Sequence, residues 1–99
     1  MPQITRNGVN VFYESFGSGS PAIVFLHPWT TNHYIWAFQV PAFARKHRVI
    51  VVDHRGHGQS DKPAAGYAIG EMAADVAAIL DHAGVDKAVL VGNSIGGMI

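Results

Sequence analysis

The sequence predicts an α/β fold, a hairpin plus parallel strands with crossover helices, and three observations predict it. Three short apolar runs rich in branched residues, Ala22–Leu26, Val49–Val52 and Ala88–Val91, are each bounded by turn-formers. Continuous hydrophobicity of this kind belongs to strands covered on both faces, as in a parallel sheet. Between the second and third runs lies one amphipathic helical stripe, and ahead of all three stands an alternating segment with a hairpin turn.

In chain order, Ile4–Arg6 forms a short strand joined to a longer one through Asn7-Gly8, the strongest two-residue hairpin signal. In the longer strand Val9, Val11 and Tyr13 alternate with Asn10, Phe12 and Glu14, the period of two that turns one face inward. Gly17-Ser18-Gly19-Ser20-Pro21 is a loop before the strand Ala22–Leu26. Asn32 to His47 reads as two short helices, because Pro41 lacks an N–H and pushes Val40 toward an extended conformation. After Val49–Val52, residues Met72, Val76, Ile79, Leu80 and Ala83 fall at i, i+4, i+7, i+8 and i+11 of a helix. Gly84 stands where a left-handed C-terminal cap belongs. The alternation that ends in Ala88–Val91 implies right-handed crossovers. The chain then turns through Gly92-Asn93-Ser94 and stops at Ile99, about one turn into an expected helix, too little to be stable alone. Residues 1–99 are therefore expected to be the N-terminal portion of a single larger domain, truncated after that turn. The apolar strand Ala88–Val91 would then expose an edge through which the fragment self-associates.

Seven basic and seven acidic side chains cancel, which argues against the basic stripe of a nucleic-acid binder. Apolar residues make up 48% and charged residues 14%, which argues against disorder. Cysteine is absent, so there is neither a disulfide framework nor a thiolate metal site. No run approaches the roughly 18 apolar residues of a membrane span, and polar residues follow Met1 where a signal peptide would be basic and then apolar. The expectation is a soluble, cytoplasmic unit whose partner is a small-molecule substrate, not a nucleic acid or a membrane.

Three motifs stand at the ends of the three apolar strands. Gly92-Asn93-Ser94-Ile95-Gly96-Gly97 is a Gly-x-Ser-x-Gly turn between a buried strand and a helix. So tight a turn strains the serine backbone and lifts its hydroxyl above the sheet, and Gly92 and Gly96 are needed because side chains there would strike backbone. The plainer alternative is a glycine-rich turn with an incidental serine; a nucleotide loop is excluded by the glycine spacing. His27-Pro28-Trp29 follows Ala22–Leu26. A serine that transfers acyl groups needs two donors aimed at the developing oxyanion. The N–H of Ile95 and the N–H of Trp29 are the candidates, with His27 packing beneath the loop. Asp53-His54-Arg55-Gly56-His57-Gly58-Gln59-Ser60-Asp61 follows Val49–Val52. Gly56 and Gly58 permit a tight turn, and Asp53 ties down backbone or Arg55. The alternative, a metal held by Asp53, His54 and His57, lacks a second cluster to complete the ligands.

Together these motifs make nearly the whole chain resemble the N-terminal part of the α/β-hydrolase fold family. The phrases Asp53-x-Arg55-Gly56-x-Gly58-x-Ser60 and Gly92-Asn93-Ser94-Ile95-Gly96-Gly97 carry the resemblance. The stretch from Trp36-x-x-Gln39-x-Pro41 through His57 is most similar to the branch of 3-oxoadipate enol-lactonases, cofactor-free haloperoxidases and carbon–carbon bond hydrolases. The resemblance implies Ser94 as catalytic nucleophile, the N–H groups of Trp29 and Ile95 as oxyanion hole, and no cofactor or metal. Serine at 94 separates the chain from the family's haloalkane dehalogenases and epoxide hydrolases, which carry aspartate there. Pro28 stands where the family more often has glycine; it leaves the donor at 29 and raises a cis His27–Pro28 bond as an alternative path. The family order of nucleophile, acid and histidine places the last two beyond Ile99. The expected function is hydrolysis of an ester, lactone or related carbonyl compound through an acyl-enzyme, by a complete chain; the 99 residues alone are expected to be inactive. The alternatives are a hydrolase-like small-molecule binding or receptor protein, and an inactive fragment that serves as an association partner.

Overall fold

The structure, a computed structural model, describes residues 3–99. Strand β1 (Gln3–Arg6) and strand β2 (Val9–Phe16) form the hairpin, with Asn7 at φ 50° and Gly8 at φ 79° as its two turn residues. Both φ values are positive, which matches the turn twist to that of the strands. Strand β3 (Ala22–Leu26), a 3₁₀ helix (His33–Trp36), helix α1 (Gln39–Phe43) and strand β4 (Val49–Val52) follow. Helix α2 (Ile69–Ala83), strand β5 (Ala88–Gly92) and helix α3 (Ile95–Met98) complete the order. Gly84 caps α2 in the left-handed conformation at φ 72°.

The five strands form one mixed sheet in the order β1-β2-β4-β3-β5. β2 runs antiparallel to β4, whereas β3 is parallel to both β4 and β5. Leu26 pairs with Val52 on one side and with Gly92 on the other, so β3, β4 and β5 end level. That register delivers the loops carrying all three motifs to one edge of the sheet.

Because the central strands are covered on both faces, every residue of β3 and β4 is buried. Ile4, Val11, Tyr13, Val24, Leu26, Ile50 and Val52 pack beneath Val76 and Ile79 of α2. On the opposite face Ile23, Phe25, Val49 and Val51 pack beneath Trp36 and Val40. Each such aliphatic side chain contributes roughly 1.5–3 kcal/mol by leaving water. Among the described residues β5 pairs only with β3, and its Val89 and Leu90 are about half exposed, at 49% and 52%.

Four sequence expectations are corrected. The third apolar run, expected to be covered on both faces, holds no fully buried residue, because among the described residues only β3 flanks β5. Phe12 does not face solvent in alternation with Val11 and Tyr13; it is buried as well, because His33 lies against its ring with centroids 5.4 Å apart. Val40 is helical, not extended. The break between the two short helices falls at Ala37–Phe38, ahead of Pro41, and Pro41 sits in the first turn of α1, where its missing N–H has no partner to lose. The cis peptide among the described residues is Ser20–Pro21, and His27–Pro28 is trans, which lets the Pro28 carbonyl face the His27 ring.

Candidate active site

The turn after β5 is held against the end of β3. Asn93 N–H donates to the Leu26 carbonyl at 3.2 Å, and Ser94 follows with φ 57° and ψ −119°. A residue with a Cβ rarely occupies that region, and it persists where surrounding structure over-determines it. Here the surroundings are two glycine contacts. A Cβ on Gly92 would strike the Gly96–Gly97 peptide, and one on Gly96 would strike the Leu26 carbonyl, with the His27 carbonyl oxygen 3.1 Å away. Ser94 itself is exposed, while Ile95 and Gly96 behind it are buried.

The loop after β3 is stitched to the loop after β4 by imidazoles. His27 is fully buried. Its Nδ1–H donates to the Pro28 carbonyl at 2.7 Å, so its Nε2 is the acceptor for the His54 N–H at 3.0 Å. His54 returns the bond, Nε2–H to the His27 carbonyl at 3.1 Å. Burial pushes the His27 imidazole below its ordinary pKa. It pushes His54 down to about 4, and the neighbouring His27 and His57 rings add to that. Trp29, 40% exposed, leans on the His57 ring with centroids 5.1 Å apart, and Thr30 next to it has a left-handed φ of 66°.

In the loop after β4, Asp53 is fully buried and its carboxylate is shared. Oδ1 accepts from the His33 N–H at 2.7 Å and from the His33 ring Nδ1–H at 2.8 Å, and Oδ2 accepts from the Gln59 N–H at 3.0 Å. Gly56 and Gly58 take positive φ, and a Cβ on Gly58 would land on that carboxylate. Of the two roles foreseen for Asp53, the backbone role is the one present. Arg55 turns instead to Asp75 on α2, Nε to Oδ2 at 2.7 Å and Nη2 to Oδ1 at 2.8 Å. The Asp75 hydrogen bonds hold the Arg55 guanidinium protonated above its ordinary range.

Asp75 and His33 are the residues that sequence reasoning missed. Asp75 had a signal, since it lies on the same helix face as Met72, Val76 and Ile79, where a carboxylate requires a buried cation. His33 had none, because its partnership with Asp53 depends on how the chain doubles back after β3. The proposed metal set of Asp53, His54 and His57 is instead occupied with hydrogen bonds to backbone and to His33.

The register thus brings Ser94, Ile95, His27 and Trp29 to one end of the sheet, with the Asp53–Ser60 turn beside them. No hydrogen bond of the described residues uses the backbone N–H of Trp29 or of Ile95. Each of the six histidines has a partner elsewhere; His47 meets the Pro21 carbonyl, His82 the Tyr13 hydroxyl, and none meets Ser94. No helix among the described residues is long and apolar enough to cross a membrane.

Comparison with known proteins agrees with this architecture. Residues 21–99 match the family model of the alpha/beta hydrolase fold. A structure of Est816, described as an N-acyl homoserine lactone degrading enzyme, superposes with a TM-score of 0.96 at 59% identity, covering 99% of this chain and 38% of that one. A soluble epoxide hydrolase of Corynebacterium sp. (strain C12) is 40% identical over 98% of this chain and 34% of its own. The 3-oxoadipate enol-lactonase 2 of Acinetobacter baylyi is 38% identical over 96% of this chain and 36% of its own. The chain spans about a third of the length of the curated relatives it matches. With most of its length matched by the family model and its sheet, Ser94 turn and loops arranged as described, the chain belongs to the alpha/beta hydrolase fold family.

Proposed function

We propose that the chain is the nucleophile-bearing part of a serine hydrolase of esters, lactones or related carbonyl compounds. Ser94 Oγ attacks the carbonyl carbon, and the N–H groups of Trp29 and Ile95 donate to the oxyanion. The acyl C–O bond breaks as the base passes the serine proton to the alkoxide, which leaves as the alcohol of an ester or stays tethered in the acyl group of a lactone. Water then cleaves the acyl-enzyme to release the acid and restore Ser94. The observation that carries this reading is the exposed Ser94 at φ 57°, followed by the unengaged Ile95 N–H, on a turn at the same end of the sheet as the unengaged Trp29 N–H. The base and its orienting carboxylate come from outside these residues, since all six histidines are committed to other partners. Residues 1–99 are accordingly one portion of a single hydrolase domain and are inactive alone.

Serine also decides between the similar relatives. An aspartate that opens an epoxide forms an ester, which water can cleave. A serine oxygen that opened one would form an ether with no carbonyl to attack, and turnover would stop. Lactones and esters suit Ser94, and two of the similar proteins are described as acting on lactones. The partner is thus a small carbonyl compound, without metal or cofactor.

The test is hydrolysis of short p-nitrophenyl esters and of lactones by the full-length enzyme and its Ser94→Ala variant. Loss of several orders of magnitude in kcat with an unchanged fold supports the reading. Near wild-type turnover by Ser94→Ala rejects it, and binding without turnover in the wild type favours a receptor.

A further inference from the structure

We propose that His57 is the positioning residue of the oxyanion loop: as the neutral Nδ1–H tautomer it holds the Thr30 N–H and so fixes the aim of the neighbouring Trp29 N–H. The inference rests on the reading of Ser94 as nucleophile and adds to it the device that pre-orients one of the two donors.

Two bonds define the tautomer. His57 Nδ1 lies 3.1 Å from the Arg55 carbonyl, which can only accept, so Nδ1 carries the proton. Nε2 is then a bare lone pair, and the Thr30 N–H donates to it at 3.1 Å. The Thr30 peptide is the one that joins it to Trp29. Its carbonyl side is held too, because Thr30 Oγ1 donates to the Trp29 carbonyl at 2.6 Å. One step earlier, the Pro28 carbonyl accepts from His27 Nδ1–H at 2.7 Å and from Thr31 Oγ1 at 3.0 Å. The peptide that bears the Trp29 N–H is therefore clamped on both sides, by His27 before it and by His57 after it.

The clamp explains two oddities of the loop. Thr30 adopts a left-handed φ of 66° that a β-branched residue avoids, and the bond to His57 offsets that strain. Trp29 is 40% exposed yet lies against the His57 ring, at a centroid distance of 5.1 Å. Without the Nε2 acceptor, the Thr30 N–H would compete with the Trp29 N–H for the oxyanion or turn to water, and the hole would lose its geometry. Pre-orientation of this kind acts on the transition state more than on substrate binding.

The experiment compares His57→Phe and His57→Gln in the full-length enzyme. Phenylalanine keeps a ring beneath Trp29 but removes the acceptor, while the glutamine amide oxygen reaches about as far as Nε2 and restores one. His57→Phe should lower kcat by about tenfold to a hundredfold with KM within about twofold, and slow fluorophosphonate labelling of Ser94 in parallel. His57→Gln should recover most of that loss. In the wild type, imidazole ¹⁵N spectra should show His57 protonated at Nδ1 and bare at Nε2. Wild-type kcat in a folded His57→Phe enzyme overturns the inference, as does a His57 carrying its proton on Nε2. Should His57→Phe fail to fold, the tautomer and the glutamine variant decide. If Ser94→Ala keeps its activity, the nucleophile reading fails. If Ser94 is essential and His57→Phe is as fast as wild type, only the inference about His57 falls.

Discussion

Arg55 and Asp75 form a buried, two-pronged ion pair that ties the turn after β4 to the middle of α2, at 2.7 and 2.8 Å. Arg6 of β1 adds a third bond to the same carboxylate at 2.9 Å. Removing one partner of such a pair leaves the other charge buried without compensation, at a cost of about 3–5 kcal/mol. Asp75→Asn should therefore destabilise the protein by that amount in urea unfolding. Glu71→Ala, which removes only the half-exposed second partner of Arg6, should cost about 1 kcal/mol or less. Equal costs for the two variants would mean that the buried pair is not the anchor described.

Acid should weaken the fold through the histidines that join the loops after β3 and β4. His54 is pushed down to about 4 by burial, against an ordinary value near 6.5. Above about pH 6.5 it is neutral in both states and costs nothing. As pH falls from 6.5 toward 4, the unfolded chain takes up a proton that the folded chain refuses, so stability drops by up to about 3 kcal/mol. His27, lowered by the same cause, adds to the drop. Unfolding free energies measured from pH 7.5 to 4.5 should fall over this window, and His54→Gln should flatten the slope. Stability that rises on acidification would contradict the neutral assignment.

Gly96 leaves no room for a side chain, since its Cβ would fall on the Leu26 carbonyl. Gly96→Val should cost about 1–3 kcal/mol of stability and, by pushing the elbow from β3, most of the activity. A folded and active Gly96→Val enzyme would refute the packing of elbow on strand.

A chain ending at Ile99 should self-associate through β5. Among the described residues its outer edge is unpaired, and because neighbouring strand residues point to opposite faces, half-exposed Val89 and Leu90 leave apolar surface on both faces. Sedimentation of the 99-residue chain should reveal oligomers that lysine at both positions disperses. A stable monomer at high concentration would argue otherwise.

How far the sequence led depended on whether a signal was local. The three apolar strands, the Asn7-Gly8 turn, the stripe of α2 and its Gly84 cap were all readable, because burial period and backbone conformation are written into neighbouring residues. The error at Val40 came from applying the rule for residues before proline where the first helical turn suspends it. At the candidate site, glycine spacing located the turns, yet the partners of Arg55 and Asp53 were not readable from spacing. Arg55 and Asp75 are twenty residues apart and meet only once α2 has packed on the sheet. His33 reaches Asp53 only by way of the 3₁₀ turn. Long-range polar pairs follow from topology, and topology follows from the whole set of strands.

The most direct test of the account is covalent capture of Ser94. The full-length enzyme is treated with a fluorophosphonate, digested, and the adduct located by mass spectrometry. The account predicts one rapidly formed adduct, on Ser94 of the peptide that follows Lys87, and none in Ser94→Ala or in the 99-residue chain alone. An active enzyme that stays unlabelled at Ser94, or is labelled elsewhere, would contradict it.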